Sequence, residues 1–288
     1  MSITIQRVGV VGCGTMGSGI AQVCALAGLD VMVAAASGAS LDRGRARLTG
    51  SFDRALGKGK ITSQDHENAL ARVSYTSDLE DLADRQLVVE SISESEPAKR
   101  ELFARLDRVI QDPEAVLASN TSSISVLGLA RATVDGGRVI GMHFFNPVTA
   151  LPLVEMVSTL LTDEKTAVRA EEFVTGVLGK RIIRSPDRAG FTVNALLIPY
   201  LLSAVRMVES GHVSADTVDD AMTLGCSHPM GPLRLADLIG LDVVASIAET
   251  LHEEFREPHY APPPLLRRMV ETGMLGRKTG QGFHHYDR

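Results

Sequence analysis

Cysteine is scarce in this chain. Only Cys13, Cys24 and Cys226 occur in 288 residues, an odd number without C-x-x-C spacing, so free thiols in a reducing compartment are expected. Long apolar runs are missing as well. The most lipophilic stretch, Ala195 to Val205, is too short to span a bilayer and contains Pro199. No basic start with a cleavage pattern precedes the first apolar run, so the cytoplasm is the expected location and no membrane partner is expected. Net positive charge is lacking: the formal charge is -6, which argues against nucleic acid and means that an anionic small ligand needs a local basic patch. Metal-binding spacing is absent too. His252 to Arg256 reads H-E-E-F-R without a second histidine, and His284 and His285 are adjacent rather than convergent. No G-x-S-x-G supports an acyl hydrolase.

What is present is an ordinary globular balance, 44% hydrophobic and 22% charged. Arg7 to Val11 reads as a strand buried on both faces, followed by a Gly-rich turn, a helix of small residues ending at Gly28, and a second strand at Val31 to Val33. Leu41 to Ala71 reads as two helices separated near Gly57 to Ile61. Further strands are expected at Leu87 to Val89, Ala115 to Ala118, Arg138 to Met142, Met156 to Ser158 and Arg181 to Ile183. Near Ser185 the pattern turns helical throughout. Thr192 to Glu209 is a long apolar helix, Ser214 caps the next, and Asp242 caps one running to Phe255. The fold class is therefore α/β: a Rossmann-type parallel sheet domain over residues 1–185, then a smaller all-α domain over 186–288.

Gly12, Gly14 and Gly17 form G-x-G-x-x-G between the first strand and its helix. Such glycines permit a tight turn, backbone approach to a pyrophosphate and close helix–strand packing, and the helix start attracts phosphate. A dinucleotide site is expected, with Thr15 and Met16 completing the turn. An NAD-binding unit ordinarily ends its second strand with an acidic residue on the adenosine ribose. Here Ala35 stands in that place. Three explanations remain open: reduced NAD affinity, acceptance of NADP with help from Ser37, Arg43 or Arg45, or a substitution of the usual acid.

The stretches M-H-F-F-N-P at Met142 to Pro147, S-N-T-S-S at Ser119 to Ser123, L-V-E at Leu153 to Glu155 and G-F-T-V-N at Gly190 to Asn194 recur in order. With H-P-M-G-P-L at His228 to Leu233 and the closing G-R-K-T-G-Q-G-F, they make essentially the whole chain resemble the L-3-hydroxyacyl-CoA dehydrogenases, bacterial stand-alone 3-hydroxybutyryl-CoA dehydrogenases above all. The resemblance implies His143 as catalytic base and Glu155 as its partner. Alcohol oxidation needs a group to take the hydroxyl proton as hydride leaves, and an imidazole oriented by a carboxylate suits that work.

Ser122 and Asn194 are implied as donors to the reacting oxygen, with the active site in the cleft between the domains. Glu94, Lys99 and Asn120 are implied on the cofactor side. Ser51, Lys58 and Asn146 are implied on the acyl-CoA side, where Arg54 and Lys60 add the basic patch that an acidic chain requires. NAD is the implied cofactor, with NADP admitted by Ala35, and a homodimer through the helical domain is implied. Two rivals remain: a dehydrogenase of another hydroxy acid or acyl-carrier thioester, and a non-catalytic nucleotide-binding relative.

Overall fold

The computed structural model describes residues 4–287, which fall into two compact units dividing between Asp187 and Arg188. The first is built on one eight-stranded sheet: β1 (Arg7–Val11), β2 (Asp30–Ala34), β3 (Val73–Thr76), β4 (Leu87–Glu90), β5 (Val116–Ser119), β6 (Val139–Phe144), β7 (Leu153–Val157) and β8 (Arg181–Arg184). Their spatial order is β3-β2-β1-β4-β5-β6-β7-β8. Every neighbouring pair is parallel except β6 and β7, which run antiparallel. Chain order reverses between β1 and β4, so a crevice opens there beyond the carboxyl ends of the strands.

Helices connect these strands: α1 (Thr15–Leu26), α2 (Gly38–Gly57), α3 (Ser63–Ala71), α4 (Glu96–Val109), α5 (Val126–Ala130) and α6 (Glu164–Glu172), the last running on into a π-helical turn at Phe173–Val177. Alternate strand residues Val8, Val10, Val31, Val33, Ile140, Met142 and Phe144 pack with Ile20 and Phe52 from α1 and α2 in one core. Because side chains alternate along a strand, burying Met142 and Phe144 there turns His143 to the opposite face of the sheet.

Several sequence expectations shift. The short strand β3 was not expected, because V-S-Y-T lacks an apolar run and takes its place by pairing with β2. β7 begins three residues before the expected Met156, so Glu155 lies inside the strand. Arg138 belongs to a turn that precedes β6, its guanidinium donating to the Asp107 carboxylate at 2.8 Å.

The second unit, 188–287, contains α7 (Val193–Glu209), α8 (Ala215–Cys226), α9 (Pro232–Ile239), α10 (Leu241–Phe255) and α11 (Pro264–Glu271). Ile198, Leu201, Val205, Leu233, Val244, Ala248, Leu251 and Leu266 form its core. Ser214 caps α8 by accepting from the Thr217 amide. Asp242 does not cap α10. Gly240 holds that position, and Asp242 lies in the first turn with both carboxylate oxygens 2.6 Å from Lys278 Nζ. Helix α9, unmarked in the sequence by a side-chain cap, opens on Pro232, which needs no amide partner at a first turn. No helix of the described residues is long and apolar enough to cross a membrane.

One buried carboxylate takes three donors from the carboxyl-terminal segment. Asp237 accepts from the amides of Phe283 and His284 at 3.0 and 2.9 Å and from the Tyr286 hydroxyl at 3.0 Å. Burial and the Asp237 charge push that hydroxyl up to about 12. Replacing Asp237 with alanine strands three donors, and a loss of about 2–4 kcal/mol in urea unfolding is expected; a loss below about 0.5 kcal/mol would contradict the arrangement.

Candidate active site

The Gly-rich turn follows β1. The Gly12 amide donates to the Ala34 carbonyl at 2.8 Å and the Ser91 amide to the Val11 carbonyl at 2.7 Å, which ties the turn to the ends of β2 and β4. Gly12 has a φ of 105°, and a Cβ there would lie 2.4 Å from the Ser91 carbonyl oxygen. A Cβ on Gly17 would lie 1.9 Å from the Gly12 carbonyl oxygen, so α1 can start this close to the turn only with glycine present. Gly14 faces open space. The amino end of α1 is thereby stripped of side chains and its dipole is open to phosphate.

Two adjoining clefts meet at this turn. The larger, about 660 Å³, runs over Gly12 to Gly14 toward Ala35. The smaller, about 380 Å³, is lined by Thr15, Met16, Glu94, Lys99, Asn120 and Ser122. The bare turn, the helix start and the paired clefts fit a dinucleotide.

A buried charged network shapes the smaller cleft. Lys99, 1% exposed, donates to Glu90 Oε1 at 2.6 Å and lies 3.2 Å from Glu94 Oε2. Glu90, at the end of β4, also accepts from the Ile92 amide and from Ser119 Oγ, at 2.7 and 2.6 Å. Glu94 Oε1 accepts from Thr121 Oγ1 at 2.5 Å and from the Ser122 amide at 3.0 Å, so it holds the S-N-T-S-S turn from across the cleft. Burial pushes the Glu94 carboxyl up, but Lys99, Thr121 and the Ser122 amide outweigh it and hold it below its ordinary 4.5. Ser122, half-buried, lines the cleft with its amide held by Glu94. The cap of α5 is Ser125.

Asn120 links this turn to the next strand: its Oδ1 accepts from the Phe144 amide at 2.8 Å. One residue away, His143 stands directly opposite Glu155 in the β6–β7 register. His143 lies within β6 near its carboxyl end, not beyond the strand. Its Nδ1 is 2.8 Å from Glu155 Oε2. A carboxylate only accepts, so Nδ1 carries a proton in this contact. Glu155, 0% exposed, accepts on Oε1 from Ser185 Oγ at 2.9 Å. The Phe145 ring lies 4.6 Å from the imidazole, centroid to centroid.

Ser51, Lys58 and Asn146 do not line these clefts. Ser51 Oγ donates to Gln22 Oε1 at 2.6 Å on the α1–α2 surface, and Lys58 is the exposed cap residue ending α2. Asn146 is exposed in the loop after β6. Asn194 belongs to the second unit, in the first turn of α7, where it is buried. Sequence reading missed Glu90 and Ser185. Glu90 had a signal, an acid ending the apolar run L-V-V-E; Ser185 had none.

Residues 7–188 match the family model for the 3-hydroxyacyl-CoA dehydrogenase NAD binding domain, and 190–286 match the model for the C-terminal domain of the same family. A 3-hydroxybutyryl-CoA dehydrogenase of Mycobacterium tuberculosis is 58% identical over 286 residues, covering 99% of this chain and 100% of that protein. The crystal structure of M. tuberculosis FadB2 superposes with a TM-score of 0.98 at 57% identity, over 99% of this chain and 100% of that one. That of the (S)-3-hydroxybutyryl-CoA dehydrogenase PaaH1 from Ralstonia eutropha gives 0.92 at 42% identity, over 99% and 100%.

The depressed Glu94 carboxyl has a pH signature. Its folded value lies below its unfolded one, so its stabilising contribution is complete above about 4.5 and fades as pH falls through the folded value. Glu94→Gln is expected to flatten the acid side of the stability–pH curve in urea unfolding between pH 3 and 7. A variant whose curve keeps the wild-type slope would contradict this assignment.

Proposed function

The chain belongs to the 3-hydroxyacyl-CoA dehydrogenase family, and on that premise we propose that it interconverts 3-hydroxybutyryl-CoA and acetoacetyl-CoA, with NAD(H) or NADP(H) as redox partner. The observation that carries this reading is the buried His143–Glu155 pair, 2.8 Å apart, near the carboxyl end of β6 in the sheet whose β1 ends in the Gly-rich turn.

In oxidation, His143 Nε2 takes the proton of the substrate hydroxyl, and the resulting imidazolium is held by the Glu155 carboxylate through Nδ1–H. In reduction the same imidazolium returns its proton to the keto oxygen. A bound nicotinamide supplies the two-electron chemistry, accepting or delivering the hydride. Ser122 Oγ donates to the oxygen that gains charge as the proton and hydride move. Asn194 is assigned as a second donor on the motif alone. Ser185 keeps Glu155 oriented so that Oε2 stays on the imidazole. Lys99 and Glu94 set the wall of the nicotinamide half, while Ser51 and Lys58, with Arg54 beside them, are assigned to the anionic coenzyme A handle.

We assign the active form as a homodimer in the cytoplasm. The second unit leaves large apolar side chains in solvent, Leu196 at 73% and Met207 at 52% on α7 and Leu224 at 82% on α8, which a second copy would cover.

Reduction of acetoacetyl-CoA with NADH or NADPH tests the reaction class directly. His143→Ala is expected to lower kcat by roughly 10²–10⁴-fold with cofactor binding nearly unchanged. Glu155→Gln, which leaves the shape of the pair intact, is expected to lower kcat by up to about 10⁴-fold. A His143→Ala enzyme that keeps most of its kcat would remove histidine from the proton transfer.

A further inference from the structure

We infer that the adenosine end of the larger cleft is a site for a ribose 2′-phosphate, so that this chain takes NADP(H) and holds it more tightly than NAD(H). The inference rests on the dinucleotide reading above and adds to it the chemical class of the cofactor.

Three observations meet there. Ala35 follows the last residue of β2 and lines the cleft, so the position that ordinarily offers a carboxylate to the ribose hydroxyls offers only a methyl group. Arg43 and Arg47 from α2 and Arg105 from α4 line the same cleft, with Ser40 and Ser77, and no aspartate or glutamate lines it. None of the three arginines is ion-paired to a carboxylate among the described residues. In a chain of formal charge -6, this is positive charge concentrated where a phosphate monoester would lie.

The local fold explains why the arginines converge. Ser37 caps α2, and Ser40, Arg43 and Arg47 then recur at spacings of three and four on one helix face. Gly44 lies among them, and a Cβ there would come 2.4 Å from the Cys13 Cβ, so only glycine lets this face press on the Gly-rich turn. Arg47 Nη1 donates to the Cys13 carbonyl at 2.7 Å, and Arg43 Nη2 donates to Ser40 Oγ at 3.0 Å. Arg47 is thereby held to the turn and Arg43 to its own helix, both line the cleft, and both keep further N–H donors, the fork geometry that phosphate oxygens accept. The sequence pointed to Ser37, Arg43 and Arg45 for this task. The structure retains Arg43 alone: Ser37 caps the helix, and Arg45 lies 4.7 Å over the Tyr75 ring. Ser40, Arg47 and Arg105 take the vacated roles.

Loss of the acid and gain of the arginines act together. An aspartate at position 35 would repel a phosphate and favour an unmodified ribose; alanine does neither. The arginines supply charge-assisted hydrogen bonds that only the phosphorylated ribose can use in full.

Direct binding to the full-length protein tests this, by calorimetry with NADPH and NADH and by competition with 2′,5′-ADP, 5′-AMP and 3′,5′-ADP. NADPH is expected to bind at least about tenfold more tightly than NADH, and 2′,5′-ADP to compete better than either of the other nucleotides. Arg43→Ala and Arg105→Ala are each expected to weaken NADPH roughly tenfold while NADH changes by less than about threefold. Ala35→Asp is expected to reverse the order of the two cofactors. Equal or tighter binding of NADH would overturn the site, as would arginine variants that weaken both cofactors alike. Stronger competition by 3′,5′-ADP, the nucleotide of coenzyme A, would assign the arginines to the thioester instead and also overturn it. Acetoacetyl-CoA turnover reads the reaction separately: turnover without NADPH preference removes the phosphate site alone, and NADPH preference without turnover removes the substrate assignment alone.

Discussion

One reversal of strand direction makes the buried His143–Glu155 pair. Five parallel pairings bring β1 to β6 together, and each needs a long crossover connection. β7 alone returns antiparallel beside β6, after a loop of a few residues. In that geometry residues directly opposite share a face, so His143 and Glu155 meet because register places them there. A slip of one residue would turn Glu155 to the other face and leave a carboxylate among Met142, Phe144 and Val154. The apolar partners of β6 and β7 thus guard the polar pair between them.

The loops that shape the cofactor cleft depend on a second buried arrangement. Placing Glu90 and Lys99 out of water is costly, and their mutual attraction recovers that cost only when the remaining hydrogen-bonding groups are filled. Here the Ile92 amide, Ser119 and Glu94 fill them. What the network contributes is geometry more than stability. It joins the turns after β4 and β5, and Asn120 extends the linkage to the backbone beside His143. The cleft wall and the strand that carries His143 are therefore one continuous piece of structure.

Much of this was legible in the chain. The strand, Gly-rich turn and helix at its start follow from residue types with few conformational alternatives, and the resemblance carried by H-F-F-N-P and L-V-E implied that His143 and Glu155 are partners, which lie 2.8 Å apart. The limits of reading were physical. β3 has no apolar run, so only pairing with β2 makes it a strand. Glu155 seemed to precede its strand because a polar residue buried by a partner twelve positions away carries no local periodicity. Ser185 and the arginine cluster are long-range placements. Arg45 and Arg47 are equivalent in sequence, and only the helix face pressed on Cys13 distinguishes the one over Tyr75 from the one beside the turn.

We propose that Glu155 holds a His143 proton on Nδ1, so that Nε2 exchanges a proton with substrate oxygen. Nitrogen-15 NMR of the imidazole, assigned by comparison with His143→Ala and followed across pH in cofactor-bound protein, reads the tautomer directly. The account predicts a neutral ring protonated on Nδ1 with an acceptor-type Nε2, and Glu155→Gln should disturb that state. A ring protonated on Nε2 in the native protein, or one that ignores the loss of the Glu155 charge, would contradict it.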